Sequence, residues 1–336
     1  AGGAIYSDGK VNANNLNFIN NTATKGSGGA IYSNENINLS NTTFTNNMAN
    51  TIGGALYVNG ETLINNSTFT NNTAVSQGGA IFSIKNVTLV NSTFTENKVN
   101  GTSGTAGGAV FTNDQVNIDN TKFINNTAIK GLGGAIYANL TITTNNSSEF
   151  INNTAISGGA LYSANGNISS NTSKFENNTA TYSGGAIYTN NGNVTTTESQ
   201  FINNTVNIAG GAIYTNGKTN IDNSDFIKNT ATGTDSVGGA IYSTDTVTVN
   251  NTSNFINNKA NKNGGAIFSP NAAVNVDNAT FINNTATTGS GGAIYSNYDV
   301  NATNSNFTNN TANITGGAIY SDTGKVLAGN VNFVNN

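Results

Sequence analysis

The chain has 336 residues, of which 8% are charged, with a net charge of -4 and no cysteine, histidine, tryptophan or arginine. That composition excludes disulfides, Cys/His metal sites, thiol nucleophiles and histidine general bases, and it leaves no basic footprint for nucleic acid. No signal peptide, lipidation motif or apolar run long enough to span a bilayer as a helix stands out. Abundant Asn, Ser, Thr and Gly at low charge would suit a disordered polar tract, but the apolar residues are placed too regularly for that.

The triplet Gly-Gly-Ala begins at Gly2, Gly28, Gly53, Gly78, Gly107, Gly133, Gly158, Gly184, Gly210, Gly238, Gly264, Gly291 and Gly316, a period of 25 to 29 residues. Such a period is solenoid spacing. Each triplet is followed by a phenylalanine 16 or 17 residues after its first glycine, whereas the stretch from that phenylalanine to the next triplet varies from 8 to 13 residues. One arc of the repeat is therefore rigid and the other takes the insertions, the longest of which precede Gly107 and Gly238.

In chain order, each copy reads as a glycine turn, an "AIY"-type strand, a short turn, an alternating strand such as Val116 to Asp119, and a strand centred on the phenylalanine. Period-two alternation, β-branched and aromatic residues, and Gly/Asn/Asp breaks all point to strands, and no window has a helical period. The expected fold is all-β: a right-handed parallel β-helix of about 13 coils, each of about 26 residues with three short strands, forming a rod of about 60 Å. Residues 1–336 read as a single repeat array and as a segment of a longer chain. An open β-helix end exposes strand edges that pair with other chains, so flanking repeats or end-to-end stacking are expected.

Comparison among the copies separates inside from outside. The phenylalanine never varies (Phe18 to Phe333), as expected for a stacked core column. Three residues after it, Asn is invariant: Asn21, Asn47, Asn72, Asn97, Asn126, Asn153, Asn178, Asn204, Asn229, Asn258, Asn284, Asn310 and Asn336. Stacked turns would let each amide donate to the next carbonyl, which makes this column a structural Asn ladder. The two intervening positions accept Glu176, Glu96 and Lys228 and must face water.

The aromatic position after the glycines is Tyr6, Tyr32, Tyr57, Phe82, Phe111, Tyr137, Tyr162, Tyr188, Tyr214, Tyr242, Phe268, Tyr295 and Tyr320. Strict alternation would turn it outward. Two readings stand: a column that binds sugars or another protein, or a packing column that fills space.

"GGAI" with "FxxN" in every repeat resembles the polymorphic outer-membrane proteins of chlamydiae. It is similar at least as closely to the Asn- and Thr-rich adhesin-like surface proteins of methanogenic archaea, towards which the Asn-rich, Arg-free composition tilts. The resemblance implies an exported, surface-displayed β-helix in adhesion, cell contact or the cell envelope, located outside the cell or in its envelope. The chlamydial members carry a C-terminal barrel, which is not visible in these residues.

Eight copies place an Asn-x-Thr sequon two residues after the phenylalanine, at Asn20, Asn71, Asn125, Asn152, Asn177, Asn203, Asn283 and Asn309. Either N-glycans line one edge, or a chain this rich in Asn and Thr generates sequons by chance. Asp119, Asp222 and Asp277 share one repeat position but fall in coils 5, 9 and 11, too far apart for a two-carboxylate catalytic site. No catalytic residue, metal ligand or cofactor is expected. The functional expectation is a non-catalytic structural or adhesive rod whose partner is a carbohydrate or protein of another cell. One alternative is a self-assembling envelope, sheath or filament subunit whose partner is itself; a polysaccharide-active enzyme is the other. Neither nucleic acid nor direct membrane insertion is expected.

Overall fold

A computed structural model describes all of residues 1–336. The chain divides into two compact units, Ala1–Gly166 and Asn167–Asn336. Each is a parallel β-solenoid of right-handed type without helix, and together they comprise thirteen coils. Within each unit the coil strands pair with their counterparts in the neighbouring coil, equivalent position on equivalent position: Tyr32 on Tyr57 and Phe44 on Phe69 in the first unit, Tyr214 on Tyr242 and Phe226 on Phe255 in the second.

A coil contains four strands, not the three expected. In the second coil they are Ile31–Ser33, Ile37–Ser40, Thr43–Thr45 and Met48–Ala49. The fourth is two residues long in most coils, too short to show alternation in sequence. It exists because the turn after the phenylalanine strand reverses sharply and lets the following residues pair with the next coil, as Met48 and Ala49 do with Thr73 and Ala74.

The turns have a backbone requirement of their own. The second residue after phenylalanine is left-handed in every coil, Asn46 at φ 55° and Asn71 at φ 52° being typical, and Glu96 and Lys228 are held there as well. A second left-handed column precedes the phenylalanine strand, at Asn41, Asn66 and Asn91 among others. Asn tolerates this region better than other side-chain-bearing residues, so the abundance of Asn is a backbone matter before it is a surface one. Thr172 sits in the second column at φ 47° despite its branched side chain. Thr172→Asn is expected to raise stability by about 1 kcal/mol. A denaturation midpoint that stays put or falls would refute the strain argument.

The glycine pair solves a different problem. Gly53 is left-handed at φ 66°, and a Cβ on Gly54 would overlap the carbonyl oxygen of Gly79 and press against the backbone of Thr73. Coils approach here backbone to backbone.

The core is a set of columns. Phe44, Phe69, Phe94 and Phe123 are fully buried and stack at 4.6 to 4.8 Å between ring centres, each burial contributing roughly 1.5–3 kcal/mol before entropy. Ile31, Leu56 and Ile81 line the first strand, and Leu39, Ile64 and Leu89 the second.

Candidate functional site

The invariant Asn column lies inside. Asn72 is fully buried; its Nδ2 donates to the Phe44 carbonyl oxygen at 3.0 Å and to Asn97 Oδ1 at 2.9 Å, while its own Oδ1 accepts from the N–H and Nδ2 of Asn47 at 3.0 and 2.9 Å. The same four-bond pattern runs through Asn97 and Asn126 in the first unit and through Asn204, Asn229, Asn258 and Asn284 in the second. These residues hold the wall together and have no capacity left for a ligand.

A second polar ladder escaped the sequence reading. Thr42, Ser67 and Ser92, two residues before the phenylalanine, each donate a hydroxyl to the carbonyl two residues back and a backbone N–H to the hydroxyl of the next coil at 3.1 to 3.2 Å. The signal was present, since that position is Ser or Thr in ten of thirteen copies.

The eight sequon asparagines are exposed and left-handed. The middle residue of each sequon is the ladder Asn, and the side chains at the sequon position also bond to each other, Asn71 Nδ2 to Asn46 Oδ1 at 2.9 Å and Asn203 Nδ2 to Asn177 Oδ1 at 2.7 Å.

The aromatic column lies on the outer side of its strand; most of its rings are half-buried, Phe82 and Phe111 are buried and Tyr6 is exposed. Its rings stack face to face: in the first unit from Tyr6 to Tyr162, with centres 4.4 to 5.3 Å apart and planes within 14°. In the second unit the rings of Tyr188, Tyr214 and Tyr242 are nearly parallel, then the stack fans out to 31° between Tyr295 and Tyr320. Faces occupied by neighbouring rings cannot receive a sugar; only edges remain. Phe82 and Phe111 are further covered by Ala106, Ile52 and Leu132.

Burial pushes the phenols of Tyr137, Tyr188, Tyr214 and Tyr242 above the ordinary tyrosine range. Because the folded state holds these protons more tightly than the unfolded chain, this contribution is complete below about pH 10 and is lost as pH rises through the folded values. Tyrosine absorbance followed with pH should show a late-ionising class that ionises together with unfolding. A single transition at the free-phenol position would contradict the burial.

The acidic residues do not converge. Asp119 lies in the first unit, Asp222 and Asp277 in the second. Asp222 accepts from Asn251, while Thr303 and Asn304 donate to Asp277 and hold its carboxyl below the usual range. No group of three or more carboxylates is arranged to hold a metal ion.

Clefts lie on regular coils, about 320 Å³ at Asn36, Glu61 and Thr88 and about 490 Å³ at Asn12, Asn38 and Asn65, and also where the insertions are. In the first unit, the segment before Gly107 and the strand Thr127–Leu132 enclose a cleft of about 240 Å³ lined by Lys98, Val99, Asn100, Gly101, Thr127, Ile129 and Lys130. In the second, the segment before Gly238 contributes Thr234 and Asp235 to a cleft of about 500 Å³ that also includes Lys262, Asn263, Ile314 and the fanned rings Tyr295 and Tyr320. Lys262 Nζ donates to Asp235 Oδ1 at 3.0 Å across its rim.

No curated protein and no solved structure matches the chain. A family model does: the Chlamydia polymorphic membrane protein repeat matches residues 15–34, 41–59, 66–84, 120–139, 166–190, 198–216, 252–270, 278–297 and 304–322. These segments hold the phenylalanine strand, the Asn ladder and the glycine pair of each matched coil, and they make up more than half of the residues. The chain thus belongs to the Chlamydia polymorphic membrane protein repeat family.

Proposed function

We propose that the chain is a non-catalytic, surface-displayed adhesive β-helix that meets its partners through the insertions between the phenylalanine strand and the glycine pair. The family is one of surface or outer-membrane proteins. The observation that carries the reading is a division of labour within the coil. Invariant side chains face one another inside the wall, and the two longest insertions each build a cleft outside it. Loops on a rigid scaffold accept such changes without disturbing the core. Kinship with archaeal adhesin-like proteins belongs to the same proposal and rests on the GGAIY and FxNNTA strings of the repeats and on the Asn-rich, Arg-free composition.

The test is attachment of the purified full chain to whole cells, compared with a variant in which the segments before Gly107 and Gly238 are shortened to the length of the other coils. Attachment that falls with shortening is expected. Unchanged attachment, ordered sheets or fibres as the main product, or turnover of a polysaccharide would replace this reading with one of the others. Intact mass of native material tests the sequons. Neighbouring coils are only about 4.8 Å apart, so at most one asparagine of each adjacent pair, Asn125 and Asn152 for instance, is expected to carry a glycan.

A further inference from the structure

We infer that the cleft at Lys98, Ile129 and Lys130 is a docking site for an extended acidic segment of a partner protein, with an apolar side chain seated between two carboxylates. The inference deepens the adhesive reading by giving one insertion its ligand chemistry.

Three observations converge on it. The strand Thr127–Leu132 is six residues long where most fourth strands have two, and its register against the next coil shifts between Ala128 and Leu132. Ile129 and Lys130 thus bulge out of the ladder, a device that re-aims side chains. Ile129 is left 63% exposed at the bulge, one of the most exposed large aliphatic side chains of the chain beside Ile314 at 67%. The bulge is braced by the long insertion, whose strand Thr105–Ala106 pairs with Gly131 and Leu132. Bulge and insertion therefore form one structure, and the apolar pocket lies between them.

Charge selects the occupant. The chain's ion pairs are Lys122–Glu149, Lys174–Glu176 and Lys262–Asp235; Lys98 and Lys130, which line the cleft, are among the nine of twelve lysines without a counter-ion, and here two of them flank one apolar cleft. Two free ammonium groups beside an apolar floor disfavour a cation and are wasted on a neutral hydrocarbon. A carboxylate on each side of an apolar residue uses all three features. An extended segment presents every second side chain to one face, so the recognised pattern is acidic, any, apolar, any, acidic.

The probe is acetyl-Asp-Ser-Leu-Ser-Asp-amide, titrated into the full chain carrying methyl-labelled isoleucine and followed by NMR. Saturable movement of the Ile129 methyl is expected, weakening with added salt. Binding should weaken about tenfold when the peptide carboxylates become amides or when Lys98→Gln and Lys130→Gln are combined, the sum of two exposed ion pairs. Ile129→Ser, at an exposed position, should abolish binding while leaving the fold intact. An unmoved Ile129 methyl, equal binding of the amide peptide, or tighter binding of octanoate than of the peptide would overturn the inference. If the peptide fails while cell attachment still depends on the insertions, only the ligand chemistry falls; if attachment is indifferent to them, the adhesive reading falls first.

Discussion

Asn72→Ala is expected to destabilise the protein by about 4 kcal/mol, because buried hydrogen-bonding groups left without partners cost about 1–3 kcal/mol each. The substitution removes the Asn72 donor to the Phe44 carbonyl oxygen and the acceptor of the Asn47 N–H and of one of the two Asn47 Nδ2 hydrogens, the other staying on the Phe18 carbonyl, all inside the wall. Solenoid coils interact with their nearest neighbours, so hydrogen exchange should show the lost protection concentrated in the coils carrying Asn47, Asn72 and Asn97. Asn72→Asp keeps the shape but removes two donors and buries a charge. Burial raises the folded pKa of such a carboxyl above its unfolded value near 3.9. Its penalty should thus be largest at neutral pH and ease as pH falls through the folded value. A midpoint for Asn72→Ala within about 1 kcal/mol of the parent would mean that water replaces the ladder bonds.

Gly54→Ala should cost at least as much, more than about 4 kcal/mol, by a steric route. The new methyl would meet the Gly79 carbonyl and the backbone nitrogen and carbonyl carbon of Thr73, the latter two at 2.7 Å. Neither the Gly79 backbone in the adjacent coil nor the Thr73 backbone across the same coil can rotate away as a side chain can, so relief requires the backbone to part and its ladder bonds to stretch. Gly9→Ala is the matched control, since a Cβ there meets nothing within 4 Å. Its effect should stay within about 0.5 kcal/mol. Thermal and chemical denaturation of the pair would decide the matter: similar small losses for both would show that the glycine pair is a turn preference and not a close approach.

The repeat, the phenylalanine column and the position of the Asn column were legible because a stacked architecture writes the same requirement thirteen times. Phe123 and Asn126 could be placed inside by comparing copies alone. The hydroxyl column at Ser67 and Ser92 was equally legible and was overlooked, since Ser and Thr are common throughout the chain and do not attract notice as core residues. The fourth strand was hidden by its brevity: Met48–Ala49 carries no alternation to read. The left-handed turns explain the asparagines at positions such as Asn46, which the sequence marked only as exposed. For the aromatic column, alternation correctly turned Tyr57 outward, yet could not reveal that neighbouring rings occupy its faces or that Ile52 and Leu132 close over the adjacent Phe82 and Phe111.

By itself, the sequence determined the coil: its length, its strands of alternating residues, and the columns that must stack, all consequences of a period that each copy repeats and of side chains that only identical neighbours can satisfy. Tertiary structure alone decided the clefts. Ile129 leaves the ladder because three residues find no partner in the next coil, and it stands beside Lys98 because the insertion before Gly107 folds back to brace it. Such features arise where one copy differs from its neighbour, so no rule shared by the copies can announce them.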